Sequence, residues 1–128
     1  MPRVALREAE IGVYAFNADS RSPIANIEFD LNAFRDPLGN LTLRKQCSDG
    51  IDAAVQQWIK VDPRFAPLLN QCIILVKDHF HDGHSKWFSI AFRDYHGKWI
   101  SHAVATLIAD ELSGLGYKVG VMYSPGQD

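Results

Sequence analysis

The last third of the chain has the order apolar run, amphipathic run, apolar run, and this order constrains the fold most. The apolar runs are KWFSIAF, residues 86–92, and YKVGVMY, residues 117–123, both rich in aromatic and β-branched residues that favour strands. Between them, four apolar residues recur on one face of a predicted helix: Val104, Leu107, Ile108 and Leu112. A strand–helix–strand unit predicts two parallel strands joined by a right-handed crossover.

Two further strands are predicted near the start of the chain. The first is IGVYAF, residues 11–16, which is apolar throughout. The second is IANIEFDL, residues 24–31, which alternates apolar and polar residues and should therefore have one covered face.

Two helices are predicted in the middle of the chain, within residues 49–60 and 62–80. In the second, Asp62 is expected at the N-cap and Pro63 at the first helical position. Its apolar residues lie on one helix face: Phe65, Leu68, Leu69, Cys72, Ile73 and Val76. Residues 1–128 are therefore expected to form a single α/β domain, a small sandwich with a partly parallel sheet flanked by about three helices.

Composition limits the classes of protein to which the chain can belong. Its 128 residues are 47% hydrophobic, which suits one domain with a real core, and its net charge is -2. A general nucleic-acid binder usually has a basic excess, so any RNA contact would need a local patch. Cys47 and Cys72 form no CxxC pair, and Cys72 is expected to be a buried free thiol. The chain has neither a signal core nor a membrane-spanning run, so a cytoplasmic protein without a membrane partner is expected.

A histidine-rich turn, DHFHDGHSKW, covers residues 78–87. His79, His81 and His84 are ligand types that zinc or nickel prefers, but their spacing across a helix end and a turn does not force them to converge. His79 also has an electrostatic reason to lie near a helix C-terminus, where a cation is favoured. We predict a solvated turn here, and neither a metal nor another cofactor.

The segment RDYHGKWISHA, residues 93–103, joins the third predicted strand to the last helix. Its Gly-Lys pair superficially resembles a P-loop, which requires G-x-x-x-x-G-K-[ST]. Phe92 stands where the first glycine belongs and Trp99 where Ser or Thr would bind magnesium, so the Walker A motif is absent. Nucleotide hydrolysis through such a motif is excluded.

The same segment retains features that suit an anion. Gly97 permits a tight backbone, and Arg93 and Lys98 bring positive charge. Ser101 is expected to cap the last helix, whose first amides would face the loop. The segment is therefore interpreted as a candidate phosphate-binding loop, with an ordinary strand-to-helix turn as the alternative.

Catalytic patterns are sparse. The sequence contains no G-x-S-x-G motif. Glu28 and Asp30 lie on the same face of the second strand and could perform acid–base chemistry, although a solvated strand face accounts for them as well.

Short motifs distributed over residues 10 to 123 resemble those of a known family. The matching positions are Phe29-Asp30-Leu31 with Pro37, Gly50-Ile51-Asp52 with Val55, Ile90-Ala91, Gly97-Lys98 with Ser101, Ala105, Leu112, and Gly116-Tyr117-Lys118-Val119. The family motifs that they match include FDVRFLPNP, LDPEV and the loop GCTGG(K/Q)HRS. The chain therefore resembles the C-terminal domain of the RNase adapter protein RapZ family.

The resemblance implies a stand-alone copy of a domain that, in the family, follows a P-loop kinase-like domain. In the family this domain binds small regulatory RNA and a sugar phosphate, supports oligomerisation and has no known catalytic activity. The loop departs from the family pattern, because Trp99-Ile100 replace its His-Arg and residues 93–96 replace its GCTG. Asn32 stands at the position of the family's strand arginine.

These observations together predict a non-enzymatic binding or regulatory module that recognises a phosphorylated small molecule or RNA and forms a homo-oligomer. The expected ligand-binding residues are Arg93, His96, Gly97, Lys98, Ser101, Asp30, Asn32 and Asp52. One alternative is a small enzyme that acts on a phosphorylated metabolite or nucleotide, with Asp30 or His96 as the acid–base group. Another is a purely structural oligomerisation module.

Overall fold

A computed structural model describes residues 3–17, 23–31, 53–81, 83, 86–94 and 100–123 of the chain. After a short 3₁₀ turn, Leu6–Glu8, these residues form four strands and three helices. In chain order the elements are β1 (Ile11–Asn17), β2 (Ile27–Asp30), α1 (Ala53–Lys60), α2 (Phe65–Phe80), β3 (Phe88–Asp94), α3 (Ile100–Gly114) and β4 (Val119–Tyr123). The predicted small α/β domain is confirmed.

The four strands form one sheet in the order β2-β3-β1-β4, and every pair is parallel. The sheet is thus wholly parallel over the described residues, whereas the sequence predicted only partly parallel strands. The third and fourth strands are joined through α3 but are not adjacent, because β1 lies between them. Since all strands run the same way, their carboxyl ends meet at one edge of the sheet, which we call the carboxyl edge.

One face of the sheet is apolar and lies beneath the helices. In β1 this face is formed by Ile11, Val13 and Ala15, which are buried in the main hydrophobic cluster. Helix α3 packs on β1, β3 and β4, and the other two helices pack against α3. The predicted inward residues of α3 are buried, among them Ile108, which is fully covered.

Cys72 lies in this core as a free thiol, as predicted. Burial raises its pKa from 9.0 to about 12, because the thiolate would lose its hydration there. The second cysteine, Cys47, lies outside the described residues.

The starts of two helices differ from the sequence prediction. Helix α2 begins at Phe65, because Asp62 forms a turn before it: its Oδ1 accepts from Arg64 N at 2.9 Å, and its carbonyl accepts from Phe65 N at 3.0 Å. Helix α3 begins at Ile100, so Ser101 lies inside its first turn and is not the cap. Gly116, with φ of 101°, follows the end of α3 in the left-handed region that favours glycine.

The predicted second strand was too long at its start. Only Ile27–Asp30 pairs with β3, and Ile24 is 99% exposed. No helix among the described residues is long and apolar enough to cross a membrane.

Candidate functional site

Polar residues end three of the four strands at the carboxyl edge: Asn17 in β1, Asp30 in β2 and Asp94 in β3. Asn17 and Asp94 are buried, which is unusual for such side chains unless they are bonded. In parallel α/β sheets, ligands bind beyond the carboxyl ends of the strands. The carboxyl edge is therefore the candidate site.

The side chain of Asp94, the last residue of β3, is bonded to the start of α3. Its side chain is buried, and its Oδ2 accepts hydrogen bonds from Ile100 N at 2.8 Å and Ser101 N at 2.9 Å. These are the first two amides of α3, which would otherwise lack partners inside the helix. The anion at this helix N-terminus is thus the chain's own carboxylate, in the place where the sequence suggested a ligand phosphate.

Arg93 lies beside Asp94 but points to the opposite face of the sheet, since successive strand residues alternate. Its Nη2 contacts Glu28 Oε2 at 3.0 Å, and its guanidinium carbon lies 5.4 Å from the centre of the Phe16 ring. Asp30 is the register partner of Arg93 across β2 and β3. The structure therefore brings together two of the predicted site residues, Asp30 and Arg93, with Glu28 as an acidic neighbour.

A second polar cluster lies where α3 meets the end of β4. Thr106 Oγ1 donates to the carbonyl of His102 at 2.7 Å and shares a hydrogen bond with the Tyr123 hydroxyl. Arg3 Nη1 donates to the same hydroxyl at 3.1 Å. Because the Thr106 proton is used by the carbonyl, the chain of donors runs from Arg3 through Tyr123 and Thr106 to the backbone of α3.

His102 is buried, and its imidazole packs against the Tyr123 ring with the ring centres 4.8 Å apart. Sequence reasoning missed this cluster, although one signal was present. His102 and Thr106 are polar residues four positions apart in a part of the helix, residues 102–109, that is otherwise apolar, and this spacing puts them on one face.

The remaining predicted ligand-binding residues fall into two groups. Ser101 is fully buried in the first turn of α3, with its amide bonded to Asp94. The others, Asn32, Asp52, His96, Gly97 and Lys98, lie outside the described residues.

The histidine-rich turn is partly described. His79 Nε2 hydrogen-bonds the carbonyl of Trp87 at 2.8 Å, so Nε2 carries the proton, and its ring lies 4.6 Å from that of Phe88. His81 is exposed, and His84 lies outside the described residues. Within the described ranges, no group of three or more His, Cys, Asp or Glu side chains is arranged to hold a metal ion.

Comparison with known proteins does not assign the chain to a family. No family model matches the sequence. No curated protein matches it at a significant level either. The likeness to the RapZ C-terminal domain therefore remains a prediction that depends on the short motifs quoted above.

Proposed function

We propose that this chain is a non-enzymatic binding module that recognises a phosphorylated small molecule at the carboxyl edge of its sheet. The observation that carries the proposal is the position of Arg93, the first residue of the strand-to-helix segment, whose guanidinium is held at this edge by Glu28. Arginine matches phosphate geometry well, because its planar donors can contact two oxygens together.

The phosphate should contact side chains and not the first amides of α3. Asp94 already accepts from the amides of Ile100 and Ser101, and its negative charge offsets the partial positive charge of the helix N-terminus. The ligand would therefore depend on Arg93 and, from the sequence, on Lys98. Because only these two cationic side chains would contact the phosphate, we expect a low affinity.

The experiment is a calorimetric titration of inorganic phosphate, a sugar phosphate and a nucleotide into three proteins. Arg93→Gln should weaken binding about 10-fold or more, the scale of one hydrogen bond to a charged group. Glu28→Gln should strengthen binding, because the guanidinium then has one carboxylate fewer beside it. A structural role of Arg93 alone would make both substitutions destabilise without opposite effects on affinity.

Lys77→Gln is the matched control, since Lys77 is an exposed cation on α2. It should leave phosphate affinity unchanged, and a loss equal to that of Arg93→Gln would show unspecific charge attraction. If the wild type binds none of the three ligands at millimolar concentration, the proposal is wrong.

RNA is the second ligand to test, because the resemblance implies it. The net charge of -2 predicts weak binding with a shallow dependence on salt, since few phosphates can be neutralised. Affinity that falls steeply with salt, as for a protein that contacts ~6 or more phosphates, would favour RNA over a small phosphorylated molecule.

A further inference from the structure

Residues 3–10 run beside β4, and we call this segment the strap. Near its start, Val4 N donates to Val119 O at 2.9 Å. At its end, Glu10 N donates to Lys118 O and Glu10 Oε1 accepts from Lys118 N, both at 2.9 Å. The strap therefore starts at the outer side of β4, at Val4, and ends between β4 and β1, where Ile11 N also donates to Lys118 O.

The strap can lie close to β4 because Gly120 has no side chain. A Cβ atom at Gly120 would lie 2.9 Å from Leu6 Cα and 3.1 Å from the carbonyl oxygen of Val4. Both are backbone atoms, so no side-chain rotation would relieve the contact. Any larger residue at this position of β4 would push the strap away from the strand.

The side chain of Arg3, at the start of the strap, contacts the last residue of β4 and helix α3. Its Nη1 donates to the Tyr123 hydroxyl at 3.1 Å, and its Nε lies 3.7 Å from Asp110 Oδ1 on α3. Since Tyr123 is bonded in turn to Thr106, the strap is connected to α3 through the polar cluster described above.

The strap is nevertheless lightly attached. No residue of its 3₁₀ turn is buried, and the contacts of Arg3 are exposed. Segments with few buried apolar contacts and exposed hydrogen bonds open at low free energy. The strap is thus the element beside β4 that can be displaced without opening the core.

The sequence of β4 lacks the residues that usually prevent an edge strand from pairing with another chain. In the described part of the chain, β4 pairs only with β1. Its sequence, Val119–Tyr123, has no charged residue and no proline, and Met122 is 51% exposed. Uncharged edge strands pair readily with other chains unless something covers them.

We propose that the strap shields β4 from a second copy of this chain, and that its release lets the β4 strands of two copies pair in antiparallel fashion. A twofold axis makes such a contact self-complementary, because each strand meets the same strand of its partner. Without charged residues in β4, no like charges oppose each other across the pair. The opposite edge strand, β2, carries Glu28 and Asp30, which would repel in the same arrangement.

The test compares the full chain with a variant that lacks residues 1–8, by sedimentation velocity over a concentration series. The shortened variant should double in mass as concentration rises, while the full chain should not. Met122→Lys in the shortened variant should restore the lower mass, because it places like charges in facing strands. Ile74→Lys, at a residue that is 65% exposed on α2, adds the same charge elsewhere and should leave the doubling intact.

A second variant covers the case in which the shortened chain does not fold. Val4→Pro in the full chain removes the N–H that bonds Val119 and should loosen the strap, giving a smaller rise in mass. The proposal is overturned if a folded shortened or Val4→Pro variant keeps the mass of the full chain. It is also overturned if the mass increase persists with Met122→Lys, since the contact would then lie elsewhere.

Discussion

The two outer strands of the sheet, β2 and β4, are protected in different ways. In β2 the exposed positions are charged, because Glu28 and Asp30 alternate with the half-buried Ile27 and Phe29. In β4 the strand itself has no charge, and residues 3–10 lie against it. The first kind of protection is contained in four consecutive residues, whereas the second joins Arg3 to Tyr123, 120 positions apart. An edge can therefore be protected by its own composition or by a distant segment.

The attachment of each outer strand to its neighbour also differs. Asn26, just before β2, exchanges hydrogen bonds with Ser89 of β3: its Oδ1 accepts from Ser89 N at 2.8 Å, and its N–H donates to Ser89 Oγ at 2.9 Å. The start of β4 also has one side-chain bond, from Lys118 N to Glu10 Oε1, but the register of β4 with β1 includes a pair of glycines, Gly12 and Gly120. Both outer strands are thus joined by side-chain bonds, and only the β1–β4 pair has glycines that leave room for other groups.

The largest effect should come from Gly120→Ala. The new Cβ would lie 2.9 Å from the backbone of Leu6, so the strap must move or the strand must distort. We expect a loss of about 1–3 kcal/mol in the free energy of unfolding, the usual cost of overpacking. Urea denaturation measures it.

Gly114→Ala is the control for the glycine substitution. Its Cβ would meet nothing within 4 Å, and Gly114 is the last residue of α3, so the change should be neutral or slightly stabilising. Equal losses for the two variants would mean that the strap does not constrain Gly120.

The next effect should come from Asn26→Ala at the other edge. Ser89 is buried, and the substitution removes the acceptor of its backbone N–H. A buried donor without a partner costs about 1–3 kcal/mol, and we expect the lower half of that range because β2 is an outer strand. Asn26→Asp keeps an acceptor at this position and should retain more stability than Asn26→Ala. The opposite ranking in urea denaturation would contradict this account.

The two outer strands also differ in how far the sequence revealed them. Alternation in IEFD predicted β2 and its exposed carboxylates, since a two-residue period is a local signal. The strap gave no such signal, because residues 3–10 have neither strand nor helix periodicity. Their place depends on the backbone bonds of Val4 and Glu10, on Arg3 and on the missing side chain of Gly120, all of which are tertiary contacts.

The candidate site, like the two outer strands, was predicted from the sequence only in part. Apolar periodicity placed β3, α3 and the segment between them, and hence the neighbourhood of Arg93. It did not identify Asp94 as the partner of the first helical amides, because capping from six and seven positions upstream depends on how the chain returns. For the same reason the prediction for Ser101 was wrong. Serine is a favoured capping residue, but Ser101 lies in the first turn of α3 and not at its cap.

The smallest effect should come from the ion pair at the β2 edge, between Glu28 and Arg93. Both side chains are about one-third exposed, so water and salt screen their attraction, although the contact distance is 3.0 Å. A double-mutant cycle with Glu28→Gln and Arg93→Gln should give a coupling free energy of about 0.2–1 kcal/mol, which decreases at high salt. Such a small value would mean that the charge of Glu28 contributes little to the stability of the fold. A small value is compatible with a role of this charge in repelling other β2 strands, the function that we propose for the strap at β4. A coupling well above this range, insensitive to salt, would instead make the ion pair a structural element, and the contrast between a charged edge and a covered edge would no longer hold.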